Sequence, residues 1–290
     1  MINARRSLVA LLPLLVLQGC SSREDDAEPV SLTSSEVTYF DLTAYEDAEA
    51  ATDKESITGT WVGSWRYRSS YEQPEGDVLA TSPEFFARLD VMVIRRTTNG
   101  YEISDCVSGE FVEATLNDGF ITSGRGQFSL TDANRLVPPT VSQSYVNDVY
   151  DVRFEVTAEG EFVKVADTAD AIGSYTGDWT GADDNFSGSI YCAQLDNLQN
   201  GGHRFSFGSD DGTHFTMSQR PLITDYDADF EDVANDYSYQ RTQGRGDFTL
   251  ELFDINSDGR EDGYTFNFDF TSDADATPAA LGQGSVNIPL

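Results

Sequence analysis

Short alternating runs of apolar and polar residues, broken by Gly, Asn and Asp, predict an all-β protein. The expected architecture is an antiparallel sandwich or barrel of roughly a dozen short strands with little helix. Three observations carry the prediction. Between Arg88 and Arg95, the set Leu89, Val91 and Val93 alternates with Arg88, Asp90, Met92 and Ile94, so one strand face is wholly apolar. No amphipathic pattern of three helical turns occurs in the body; only Asp225 to Ala234 reads as a short helix. Hydrophobic residues make up 39% of the chain and aromatics 12%, enough for a core and too many for a disordered polymer. None of this names a reaction.

The strands follow in order. Thr60 to Tyr67, Ala87 to Arg95, Tyr101 to Cys106 and Glu110 to Leu116 open the body. Tyr150 to Val156 and Glu161 to Val165 flank Ala158-Glu159-Gly160 and read as a hairpin. Ser187 to Cys192, His203 to Phe207, Thr213 to Met217, Asp247 to Phe253, Tyr264 to Phe270 and Ser285 to Ile288 complete the set, with Asp210-Asp211-Gly212 as a strand turn. Residues 57–290 form this β body, as one domain or as two lobes divided near 167–172. Thr58-Gly59-Thr60-Trp61 and Thr176-Gly177-Asp178-Trp179 echo each other faintly across that division. Residues 20–56 are polar and acidic and read as a tether, with Val37 to Leu42 as a short docked strand.

Ahead of the tether, Arg5 and Arg6 precede an apolar run from Leu8 to Leu17. That run is shorter than the roughly 20 residues a membrane-spanning helix needs, and it has the proportions of a signal peptide, residues 1–19. Leu17-Gln18-Gly19-Cys20 resembles the lipobox of bacterial lipoproteins. The resemblance implies cleavage before Cys20 and lipid on its sulfur and amine. Several acyl chains on one residue anchor stably, so the expected partner is a membrane, reached through the N-terminal lipid. Ser21 follows the cysteine; by the same resemblance a residue other than Asp there implies the outer membrane of a Gram-negative cell.

The formal net charge is −32, and removing the signal with its two arginines takes it to −34. Such a surface repels nucleic acid and anionic headgroups. Only Lys54 and Lys164 are lysines. Many carboxylates with few lysines fit adaptation to high salt, where screening shortens to about 3 Å at 1 M; the alternative is a surface that gathers divalent cations. Three cysteines are present. With Cys20 lipidated, Cys106 and Cys192 remain in a compartment that permits a disulfide, the alternative being two buried free thiols. Zinc is not expected, because two distant cysteines and two histidines give no ligand spacing.

The sharpest chemical pattern is Asp254-Ile255-Asn256-Ser257-Asp258-Gly259-Arg260-Glu261-Asp262. Calcium takes six to eight oxygen ligands, and oxygens at positions 1, 3 and 5 of a loop can wrap one ion. Asp254, Asn256 and Asp258 supply these, Gly259 permits the turn, and the Arg260 carbonyl and Asp262 follow as ligands. The loop resembles the D-x-[DN]-x-D-G-x-x-D loops of FG-GAP and VCBS-type repeats. It differs from an EF-hand, since position 12 is Thr265 and the flanks read as strands. The expected cofactor is therefore one structural calcium at a hairpin tip, the alternative an acidic turn without an ion. Asp225 to Asp229 has the same acidic spacing but Phe230 in place of the turn glycine.

No G-x-S-x-G and no H-E-x-x-H occurs, and no catalytic residue is assigned. His203 and His214 fall in strands, opposed across the Asp210 to Gly212 turn. Trp61, Trp65, Tyr67 and Trp179 read as core first and as a sugar-stacking face second. Gly59-Thr60-Trp61 resembles the first-strand G-x-W of lipocalin-type barrels. The sequence thus points to a lipid-anchored, non-enzymatic binding or structural module with an envelope protein or polysaccharide as partner. The alternatives are a carbohydrate hydrolase using paired carboxylates and a lipocalin-like carrier.

Overall fold

The computed structural model describes residues 40, 42–46, 48–53, 56–72, 84–132, 135–147, 152–179, 185–198, 203–219, 226–232, 237–253, 263–271 and 280–289. Within them the protein is all-β apart from one helical turn, α1 (Thr43–Glu46). The first half contributes β1 (Gly59–Glu72), β2 (Glu84–Arg96), β3 (Tyr101–Asp105), β4 (Glu110–Asn117), β5 (Phe120–Ser123), β6 (Gly126–Asp132), β7 (Arg135–Val137), β8 (Val141–Asn147) and β9 (Val152–Ala166). The second half contributes β10 (Gly173–Trp179), β11 (Asn185–Ile190), β12 (Cys192–Leu198), β13 (His203–Gly208), β14 (His214–Gln219), β15 (Tyr226–Asp232), β16 (Tyr237–Phe253), β17 (Gly263–Thr271) and β18 (Ala280–Asn287).

Strands β1 to β7 pair in sequence, β7 then pairs β9, and β9 returns to β1. That circuit is a closed antiparallel barrel of eight strands. Strand β8 adds to the free length of β9. Strand β12 adds to β2 beyond the point where β3 ends, and β13, β14, β15 and β16 extend the sheet from there. Strand β16 then changes sheets. Its first part pairs β15, while Arg245 onward pairs β17, which leads through β18 and β10 to β11. A long strand that turns the corner between two sheets is a common solution in orthogonal β packing.

The two substructures share a wall made of β9, β1 and β2. One face of the wall fills the barrel with Trp61, Met92, Ile94 and Phe162, packed against Ile121 and Phe128. The other face carries Val62, Leu89, Val91, Val93 and Val163 into a second core. There Phe207 and Phe215, on the extension of the first sheet, stack with Phe266 of the second sheet in an aromatic layer, with centroids 5.3–6.3 Å apart. Aromatic rings bury the most area per residue and favour offset contacts at these distances. Residues from both sides of 167–172 share this core, and Ser35–Leu290 forms one compact unit.

Two local expectations are corrected. Ala158-Glu159-Gly160 is not a turn, because β9 runs unbroken through it. Gly160 serves a different purpose: a Cβ there would lie 2.6 Å from the Trp65 ring, so the glycine makes room for the indole on the next strand. Residues 226–232 form β15 rather than a helix, because pairing with β14 and β16 outweighs a weak local preference. The stretch read as a tether joins the body from Phe40: Leu42, Tyr45 and Ala51 are buried. Of the docked strand placed at Val37 to Leu42, residues 37–39 and 41 lie outside the described residues.

Candidate functional site

Cys20 and the loop Asp254, Asn256, Asp258, Arg260 and Asp262 lie outside the described residues. The loop's flanks are described. Strands β16 and β17 are antiparallel, with Phe253 opposite Gly263, so residues 254–262 connect a hairpin, as the sequence anticipates. Among the described residues no three His, Cys, Asp or Glu side chains gather as a metal site. Cys106 and Cys192 are joined in a disulfide with Cα atoms 5.5 Å apart, and both are buried.

The histidines do not face each other. His214 pairs Gly208 and His203 pairs Gln219, at opposite ends of the β13–β14 hairpin. Five residue steps of about 3.4 Å separate them, too far for one catalytic site. Asp211 organises the intervening turn: its carboxylate accepts from the Ser209 hydroxyl and the Thr213 amide. Burial acts to raise its pKa, but these hydrogen bonds outweigh it and the net shift is downward.

The aromatics divide by role. Trp61 is fully buried in the barrel and donates Nε1–H to the Ile57 carbonyl at 2.9 Å. Trp65 is half-buried, stacked on Tyr67 at 5.8 Å and edge-on to Phe162. Beside this pair, at the upper end of the barrel, lies an ionic network. Arg125, in the β5–β6 turn, donates to Asp90 at 3.0 Å and to the Ser104 carbonyl at 2.9 Å. On the same face Arg88 holds Asp196 through two hydrogen bonds, at 2.6 and 3.0 Å, and Arg204 adds a third cationic contact at 3.5 Å. Burial lowers the Arg88 pKa, yet the attraction and hydrogen bonds of Asp196 exceed that effect, so the net shift is upward. The Tyr67 hydroxyl is pushed up, chiefly by burial.

At the opposite end of the barrel lies a strap, of which residues 50–53 and 56–57 are described. Lys164, buried at 1% exposure, donates to the carbonyls of Asp53 and Ser56 at 2.7 and 3.0 Å and pairs Asp167 at 2.7 Å. Asp167 in turn accepts from the amides of Thr52 and Asp53 and the Thr52 hydroxyl at 2.7–2.9 Å. Burial acts to raise its pKa; the bonds from Lys164, Thr52 and Asp53 overcome that and hold it well below the carboxylate range. Two carbonyl hydrogen bonds and one ion pair thus compensate the ammonium, which is how a buried lysine is accommodated.

A groove of about 700 Å³ lies beside α1. Phe40, Leu42 and Val137 give it an apolar part, and Glu46, Glu159, Glu161 and Arg135 a charged rim. Arg135 bridges α1 to β9, pairing Glu46 and, at 2.8 Å, Glu161. Ser64 lines the groove; its hydroxyl is buried and has no hydrogen-bond partner among the described residues. The groove combines an apolar part with a few convergent polar groups, as small-ligand sites do, but it is open to solvent. Sequence reasoning did not single out Ser64 or Arg135, since its partners come from β7, β9 and the segment taken as tether. Lys164 did leave a trace, as a lone lysine between two buried valines.

No family model and no curated protein matches the chain. Among solved structures, one likeness is to a crystal structure of a protein provisionally assigned as AttH from Nitrosomonas europaea. It is 12% identical, covers 79% of this chain and 93% of that one, and has a TM-score of 0.16. At that score the likeness carries no argument about fold or function.

Proposed function

We propose that this chain is a lipid-anchored protein of the bacterial outer membrane that acts as a binding or structural module and not as an enzyme. The observation that carries the reading is the use of the three cysteines. Two are joined within the body, which suits an oxidising compartment, and the third stands alone at the lipobox. The filled barrel favours this reading over a lipocalin-like carrier, which needs an apolar hollow where Trp61, Phe128 and Phe162 pack. Hydrolysis by paired carboxylates would look first to Asp90 and Asp196, diagonal neighbours on β2 and β12. Both are buried and clamped by arginines, which suits a structural network better than an acid–base pair. The calcium reading draws support from the antiparallel strands on either side of residues 254–262.

The test is palmitate labelling and membrane fractionation of the full chain in a Gram-negative host. The wild type is expected in the outer-membrane fraction with label, and Cys20→Ser unlabelled and soluble. An unlabelled, soluble wild type would refute the proposal.

A further inference from the structure

Strands β11, β10, β18, β17 and β16 turn one face to the core and one to solvent, and the solvent face has a regular chemistry. Cross-strand register sets Ser187, Thr176, Gln283, Asn267 and Thr249 in a row across all five strands. The next row is Ser189, Ser174, Ser285, Thr265 and Glu251. Every side chain in the two rows is exposed or half-buried. All but Glu251 are neutral hydroxyls or amides, and none is basic. Strand spacing of about 4.8 Å and a two-residue repeat of about 6.8 Å make this a regular lattice of hydrogen-bonding groups. An open hollow of about 370 Å³ lies on the first row, lined by Thr176, Asn267, Gln283 and Thr249 and extending to Asp178 and Leu281.

We infer that this face docks a neutral polysaccharide of the cell envelope; the inference rests on the envelope reading above. The lattice offers donors and acceptors at once, as a polyol requires. It has no cation for a phosphate, a nucleic acid or an anionic headgroup. A protein partner would require aromatic or arginine anchors at the centre of the patch. Of the two large apolar side chains lining the hollow, Phe268 is buried and Leu281 is 48% exposed, suited to the C–H face of a sugar ring.

The test uses the detergent-solubilised full chain, co-sedimented with insoluble α-glucan, β-glucan and chitin, with Thr176→Arg and Gln283→Arg as variants. Both positions are exposed, and matching melts verify folding. The wild type should be retained by at least one neutral glycan, and each arginine should weaken retention by about tenfold or more, as the loss of one or two hydrogen bonds implies. Equal retention of the variants would overturn the inference, as would retention of the wild type by none of the three. Self-association of the wild type that Thr176→Arg abolishes would also overturn it, by making the face a contact between copies. Palmitate labelling in the same preparations separates the two failures. If label persists, only the docking face falls; if label is absent, the envelope reading falls with it.

Discussion

Along one edge of β2 the pairing partner changes: Arg96 to Ile94 pair β3, whereas Met92 to Phe86 pair β12. Val93 lies at the seam, and its N–H is satisfied by the Ser104 hydroxyl at 2.9 Å. The disulfide closes the same seam, Cys106 just beyond the end of β3 and Cys192 at the start of β12. It joins residues 86 apart in sequence. In the chain-entropy account, a loop of that length removes about 4.6 kcal/mol of freedom from the unfolded state, and native bridges typically deliver about 2–4 kcal/mol. For a domain of this size each kcal/mol moves the midpoint by about 2–4 °C. Cys106→Ala with Cys192→Ala should therefore melt on the order of 10 °C below the oxidised wild type. Alanine leaves no buried hydroxyl, so the difference reports the cross-link with a small cavity term. The assay is a thermal melt of both proteins, with the wild type also unfolded and refolded under reductant. Reduced wild type should match the double variant. A gap below about 2 °C would refute the reasoning, because the seam would then hold without its staple.

Calcium is expected to raise the melting midpoint of the wild type by several degrees: saturation at about 100 times the dissociation constant adds roughly 2.7 kcal/mol. Asp258→Ala should abolish the rise, and magnesium should not reproduce it. An unchanged calcium response in the variant would remove the loop from the argument. Asp167 sets an acid-sensitive latch. Its folded pKa lies below the unfolded value near 3.9, so its contribution is fully present above that value and is lost as pH falls toward the folded pKa. Asp167→Asn should melt lower than the wild type at pH 7, and the gap should narrow below about pH 4. A gap constant from pH 7 to pH 3 would show that the Asp167 charge does not hold the strap.

The strand class and most strand positions were legible because alternation is a local property. Leu89, Val91 and Val93 face one core as the pattern requires. Strands β5 to β8, β10 and nearly all of β12 were missed, and β15 was read as a helix; β5 and β7 are four and three residues long, too short for a period to register. The hairpin at Ala158 to Gly160 was misread because glycine has two local meanings, a turn or a close approach, and only the Trp65 ring distinguishes them. The groove beside α1 was out of reach for a similar reason. Glu46, Arg135 and Glu161 meet from segments 26 and 89 residues apart, and no local period records such a meeting.

The shared wall explains a pattern that simple alternation would treat as an exception. A strand with one buried face alternates, but one buried on both faces reads as a continuous apolar run. Val91-Met92-Val93-Ile94 and Phe162-Val163 are such runs, and their residues divide between the barrel and the aromatic core. Lys164 interrupts the second run where β9 reaches the barrel's end, and its ammonium leaves the core by bonding the strap. The interruption thus marks the limit of the barrel interior. The same lysine fixes Asp53 and Ser56, shortly before β1. Pulling on the chain ahead of Phe40 would load α1, Arg135 and the Asp167 latch before it reached β1. The described segment ahead of β1 is therefore clamped twice, by Leu42 and Tyr45 in the aromatic core and by the polar contacts of Arg135, Lys164 and Asp167.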